Sequence, residues 1–356
     1  MNFYNALQLD PAVLKGNFAA AETKHEQRKW LSALVVRDIL LVLFAIVFVT
    51  TLSELFGSEN SSMAVVIFCI LLSVRMVDFG YNIRHSLCSL SILFLLLWIS
   101  PWLQHQVPAG FGLVINFFSL LLIVVLACEN PEMGNGGLYL FGYIFLTGSY
   151  VTYPAMLARG LLTLIGFVIC AGVLIRNHRH KHTDVTLRHV VAHFQLSNSK
   201  SQWQLQLALG VSILLFLGSV IHMERFVWAG FACSSLLSTY PVRVKERLWE
   251  RVSGVVLGSA LFGIVAVLIP ASWLFLLGPI SGLCLGLCAT YRYKTVFNCF
   301  GALSLATTIY GLGGSILLRV CNNILGILFG VAFFHFFGQG FWTRPVMKSS
   351  PPVSSD

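Results

Sequence analysis

Apolar runs long enough to cross a lipid bilayer recur along this chain and leave almost no room for any other kind of fold. Residues 38–56, 86–103, 110–128, 155–175 and 316–337 each carry about 20 predominantly apolar residues, enough at ~1.5 Å per residue to cross ~30 Å of hydrocarbon. With 57% hydrophobic and 10% charged residues over 356 positions, too little polar surface remains to coat water-soluble domains of that size. Reading apolar runs between polar breaks predicts spans near 35–56, 62–76, 86–103, 110–128, 137–152, 155–175, 204–222, 226–240, 252–269, 271–289, 295–311 and 315–337. The expected fold is an all-α polytopic membrane protein of about twelve transmembrane helices.

Charge fixes the expected orientation. With alternating spans and a cytoplasmic N-terminus, all of the 23 Lys and Arg residues except Arg159, Arg225 and Arg319 fall on the inner side, which places both termini in the cytoplasm. The tryptophans fall near predicted span ends, as an interfacial belt requires. The net charge of +9 is thereby spent on orientation, and no nucleic-acid partner is expected. Residues 1–34 read as a cytoplasmic N-terminal segment without the pattern of a cleaved leader. They are followed by a first membrane half (35–175), a basic cytoplasmic linker (176–203), a second half (204–338) and a cytoplasmic tail (339–356).

The halves echo one another. Leu71-Leu72-Ser73 and Leu236-Leu237-Ser238 each end a second span, followed by Arg84 and Arg251 respectively, and Tyr150 and Arg159 repeat the spacing of Tyr310 and Arg319. Cys128 and Cys288 keep the same offset. Six spans per half make the repeats parallel, related by an axis along the membrane normal.

Ionisable groups inside spans are the default place to look for function. Arg159 and Arg319 enter the last helix of each half from the outer side. Two readings stay open for them: a symmetric pair that attracts a substrate carboxylate, or side chains that snorkel or tie neighbouring helix ends. Asn116 puts a polar group in mid-membrane, and Tyr150 and Tyr310 accompany the arginines. Pro279 frees a carbonyl near the middle of the tenth span, a pointer to a substrate site in broken helices. Asp38, Glu54, His222 and Glu224 are the proton-coupling candidates, with solvated span-edge charge as the plainer reading of each. Gly278, Gly282 and Gly286, Gly254 and Gly258, and Gly326 and Gly330 sit at four-residue spacing, which brings helices close.

The nine cysteines form no CxxC pair and read as free packed thiols. His178, His180 and His182 alternate on the linker, a spacing that suits a solvated basic patch near anionic lipid better than a metal. No metal or other cofactor is expected. No nucleotide-binding, nucleophile-elbow or zinc-protease motif is present, so the chain is not expected to be an enzyme.

The second half also carries a family pattern. Glu246 to Ala260 (ERLWERVSGVVLGSA) resembles the ERxxGTxxGxxxG stretch of the fusaric acid resistance and aromatic acid exporter superfamily. Phe226-Val227-Trp228-Ala229 is similar to that superfamily's aromatic-Trp-Ala helix, and 319–330 to its final Arg-containing, Gly-rich helix. Val255 stands where the family has Thr, and the large cytosolic domain of many members has no counterpart. The resemblance implies a component of the bacterial inner membrane that exports small aromatic or amphipathic organic acids. It implies a periplasmic membrane-fusion adaptor as partner, with assembly into homo-oligomers left open. A non-transporting membrane scaffold and a carrier of another twelve-helix fold are the alternatives.

Overall fold

The computed structural model describes residues 3–9, 11–127, 135–192, 194–238, 244–288 and 290–340. Cys128, Arg243, Trp342 and the predicted tail beyond 340 lie outside them. The helices are α1 (Phe3–Leu7), α2 (Pro11–Ala20), α3 (Lys24–Phe56), α4 (Ser61–Met76), α5 (Ile83–Leu103), α6 (Ala109–Ala127) and α7 (Asn135–Thr147). They continue with α8 (Tyr153–His178), α9 (Leu187–Ala192), α10 (Ser199–Val220), α11 (Val227–Leu237), α12 (Val244–Leu268), α13 (Leu277–Leu287) and α14 (Tyr291–Gly340). Among the described residues there is no strand.

Local chemistry sets the helix starts. Thr23 caps α3 by accepting from Glu26 N at 3.2 Å, the Thr-x-x-Glu arrangement of a capping box. Asn82 accepts from His85 N and Asn198 from Lys200 N, both at 3.0 Å, and Pro154 opens α8 where no amide hydrogen is needed.

Among the described residues eight helices are long and apolar enough to cross a membrane, while Gly136–Thr147, Val227–Leu237 and Ala271–Leu287 are shorter apolar helices. The protein is therefore an all-α, multi-pass membrane protein. The shorter elements fall where the fifth, eighth and tenth spans were expected. The 11 residues of α11 reach only about 17 Å at the helical rise. Ahead of α13, Ala271–Leu276 forms a 3₁₀ segment, so Pro279 lies in the first turn of α13 and is exposed. The helix break falls before this proline rather than at it, because a missing amide hydrogen costs little in a first turn.

Helix α14 has 50 residues but turns back on itself at Gly311, where φ is 69° and ψ 172°, a region open to almost no residue but glycine. The hydroxyls of Thr307 and Ser315 meet at 3.0 Å across this bend.

The main core runs through α4, α5, α6, α7, α8, α10 and α11, so α10 and α11 share the apolar interior of the first half. A smaller cluster of Val255, Phe262, Leu277, Cys299 and Leu303 holds α12, α13 and the first arm of α14. Two of the seams that join the halves match, α10 along α6 and α3 along α13, and α11 packs against α7 beside the first of them. Ahead of α3, helices α1 and α2 bury Ala6 and Leu14 against Ala33 and Leu34. Arg75 donates to Gln8 and Lys15 to the Leu287 carbonyl, which ties this segment to both halves.

The linker keeps Arg176, Arg179, His180, Lys181, His182 and Arg188 exposed, as a solvated basic patch would, but it is also docked on the first half. Lys181 Nζ and His182 Nε2 each reach Asp78 at 3.4 Å, and His178 Nδ1 lies 3.8 Å from it. Asn82 N donates to the Val185 carbonyl at 2.9 Å, and Val190 is buried. Replacing Asp78 with Asn should raise trypsin cleavage at Arg179 and Lys181 several-fold while the helical core stays resistant, since the docked segment is the part opened locally. An unchanged cleavage rate would mean that the backbone contacts alone hold the linker.

Candidate functional site

Arg159 on α8 and Arg319 on the second arm of α14 have different surroundings. Arg159 is 1% exposed. Its Nε donates to Asn60 Oδ1 at 2.9 Å, and its Nη atoms reach the carbonyls of Ser149 and Glu59 at 3.4 and 3.3 Å. Asn60 in turn donates to the carbonyls of Phe56 and Ala155 at 2.9 and 3.1 Å. A single guanidinium thus locks the α3–α4 and α7–α8 links together. Each of its nitrogens already has a protein acceptor.

Arg319, 6% exposed, lies 5.0 Å from the ring centroid of Trp228, and its Nε has no hydrogen-bond partner among the described residues. Arg225 lies 5.9 Å from the same indole and 5.5 Å from the ring of Tyr310. Two cations therefore share one aromatic face system, with Tyr310 at its rim. The tie that Arg159 makes in the first half passes to a neighbour in the second: Asn322 Nδ2 donates to the Glu224 carbonyl at 3.0 Å, as Arg159 does to the Glu59 carbonyl. The link between the first two helices of each half is thus gripped from the last helix of that half. One turn below Arg319, Asn323 donates to its carbonyl and accepts from Arg251 Nη2 at 3.0 Å. Arg251 also reaches Tyr291 Oη at 2.7 Å and Ser235 Oγ at 3.1 Å. The only ion pairs found among the described residues surround Asp78, so neither Arg251 nor Arg319 is paired with a carboxylate.

The α6–α10 seam opens into a cavity of about 250 Å³ at the end of the bundle that the charge asymmetry assigns to the outside. Gln104, His105 and Asn116 line it from the first half, and Ser219 and His222 from the second, with Leu113, Leu215, Phe216, Met223 and Phe226 between them. Asn116 is held rigidly, accepting from Tyr143 Oη at 2.8 Å and donating to Gln104 Oε1 at 2.6 Å. His105 Nε2 donates to the Thr147 carbonyl at 2.8 Å, and its ring meets Tyr150 edge-on at 5.5 Å. Asn116 and His222, picked separately from the sequence, thus line one cavity, and Tyr150 touches it only through the His105 ring.

In the matching α3–α13 seam, toward the end of the bundle opposite the cavity, sits Asp38, 4% exposed. Its carboxylate fills the notch left by Gly286, where any side chain would collide with it, and Oδ2 has no partner among the described residues. Gln204 holds the corresponding place in the α6–α10 seam, its amide 3.4 Å from the Val124 carbonyl. Glu54, His222 and Glu224 are exposed.

The glycines at four-residue spacing divide by contact. A Cβ at Gly258 would lie 2.6 Å from Val296 O, and one at Gly254 2.9 Å from Arg292 O. Gly326 meets the Ala229 backbone, Gly330 faces Leu236 and Cys233, and Gly282 faces Val42. Gly278 has only Ser304 Oγ, at 4.0 Å. Among the described residues no group of three or more His, Cys, Asp or Glu is placed to hold a metal ion. Sequence reasoning missed Gln104, His105, Gln204 and the Arg251 network. Arg251 was visible as part of the Glu-Arg motif, whereas Gln104 and His105 sit in a short link with no pattern of their own.

Residues 211–333 match the family model described as fusaric acid resistance protein-like. The match begins inside α10 and ends in the second arm of α14, so it contains Trp228, Arg251, Gly258 and Arg319 but not Arg159 or Asn116. The resemblance read from the second half is therefore supported over that stretch. No curated protein and no solved structure shows significant similarity to the chain.

Proposed function

We propose that the chain is a membrane transport component that exports small aromatic or amphipathic organic acids between two parallel six-helix halves. On this reading both termini face the cytoplasm of a bacterial cell, and twelve segments cross the inner membrane, with the two arms of α14 each counting as one. The observation that carries it is the fusaric acid resistance protein-like match across the second half, on a fold whose halves meet along two seams of matching pattern.

Roles follow from the placement of the residues. Arg319, with its indole and without a carboxylate, is the better placed of the two arginines to attract a substrate anion, since its Nε has no acceptor among the described residues and can donate to an incoming carboxylate. Arg159 keeps the outer links of the first half in register, so that both arginines serve the pathway in different ways. Tyr310 and Tyr150 flank the two regions, and Asn116 holds the cavity wall. Among the proton-coupling candidates Asp38 is favoured, because it alone is buried and lies at a seam between halves, where alternating exposure changes its access to water. A periplasmic membrane-fusion adaptor is the partner that the family resemblance suggests.

The test is accumulation of labelled aromatic carboxylates in cells with and without the chain. Accumulation should fall when the chain is present and recover with a proton uncoupler. If no acid responds even with a candidate adaptor co-expressed, the substrate class is wrong and a non-transporting scaffold becomes the better reading.

A further inference from the structure

We infer that the cavity at the outer end of the α6–α10 seam is a binding site for a small uncharged amphipathic molecule, one ring bearing a single hydrogen-bonding head. Its volume, about 250 Å³, exceeds the roughly 150 Å³ in which an engineered protein cavity holds benzene and falls below that of drug-sized pockets. A ring with one polar substituent is what fits.

The walls set the chemistry. No carboxylate, ammonium or guanidinium lines the space, so a charged ligand would give up its hydration without meeting a fixed opposite charge. The polar groups are instead two amides, two imidazoles and a hydroxyl. Gln104 spends its carbonyl oxygen on Asn116, which leaves its NH₂ to donate to a ligand. Ser219 Oγ donates to the Phe216 carbonyl at 2.7 Å, which leaves its lone pairs to accept. A head that both donates and accepts, such as a carboxamide, a phenol or a protonated acid, satisfies both walls at once. Leu113, Leu215, Phe216 and Phe226 receive the ring.

The loop that closes the cavity carries an independent sign of a built site. His222 and Arg225 both hold positive φ, 50° and 53°, a conformation rare outside glycine and concentrated at ligand clamps. Phe226 can lie on α10 only because Gly218 has no Cβ, which would sit 2.8 Å from the Phe226 Cβ. Because first-half and second-half groups face one ligand, its occupancy bridges the seam. The inference does not depend on the transport reading, in which Arg319 attracts a carboxylate elsewhere.

The experiment is fluorine NMR of the full chain in nanodiscs with para-fluorobenzamide, against para-fluorobenzoate and para-fluorobenzylammonium at neutral pH, with empty nanodiscs subtracted. Saturable binding of the amide is expected, with both ions at least about tenfold weaker. Ala109→Phe, which fills the exposed rim, and Gln104→Leu, which removes the head's donor, should each weaken the amide by about tenfold. Should Ala109→Phe fail to fold, Ser219→Phe blocks the site from the other wall. Absence of saturable amide binding, equal or tighter binding of either ion, or indifference to these variants would overturn the inference. Transport is not measured, so a failed export assay leaves this result standing, and the converse holds.

Discussion

Gly326→Val should yield almost no monodisperse protein, because the first added carbon is driven into the main chain of Ala229 on α11. Backbone, unlike the tip of a flexible side chain, cannot swing aside, so the α11–α14 contact must part. Overpacking of this kind costs about 3 kcal/mol at the upper end of its usual range, more than a hundredfold in the folded fraction by the usual ~1.4 kcal/mol per decade. Gly258→Val should behave alike, since its Cβ would lie 2.6 Å from the Val296 carbonyl oxygen and 2.9 Å from its Cα. The control is Gly172→Ala in α8, where nothing lies within 4 Å and helix propensity favours the change by up to ~1 kcal/mol. Thermal unfolding and gel filtration in one detergent compare the three. Normal yield of Gly326→Val would mean that α11 and α14 do not touch as described.

Arg159→Met and Arg319→Met should fail in opposite ways. The first leaves Asn60 Oδ1 and the carbonyls of Glu59 and Ser149 facing apolar surroundings, where each loses a donor from a charged group. Each such loss costs ~1.5–3 kcal/mol. The expected result is low abundance and a lowered unfolding temperature. Arg319→Met gives up a cation–aromatic contact with Trp228 worth about 1–2 kcal/mol, so the protein should remain abundant while export of the carboxylate falls at least tenfold if the guanidinium attracts it. Immunoblot abundance and accumulation are read on the same cells. Abundant Arg159→Met protein, or full export by Arg319→Met, would reverse the division of roles.

Much of the fold was legible because the membrane imposes its own period: apolar length and the placement of Lys and Arg located the helices and their turns. Where the reading slipped, the cause is local geometry. Pro279 reads as a breaker wherever it stands, and only its position in a first turn, after a 3₁₀ segment, removes the cost. His180 is solvated as read, but His178 and His182 lie against Asp78, about a hundred residues earlier, and nothing in the sequence announces that tie. Arg159 and Arg319 were legible as a pair, but not as a saturated knot and a stacked cation, since their partners come from links far away in the chain. The cavity was half visible through Asn116 and His222, while Gln104 and His105 gave no periodic signal.

At the end of the bundle where the cavity opens, the helices are tethered to one another very briefly. The connections are 57–60, 104–108, 148–152, 221–226, 269–276 and the single residue Gly311. An extended chain spans at most ~3.5 Å per residue, so the helix ends joined by these links are leashed within short distances and cannot part far without unwinding. No such leash crosses between α6 and α10. The α6–α10 seam and the α7–α11 contact next to it are where separation stretches no such link, so mechanical freedom at this end lies around the place where the ligand would enter.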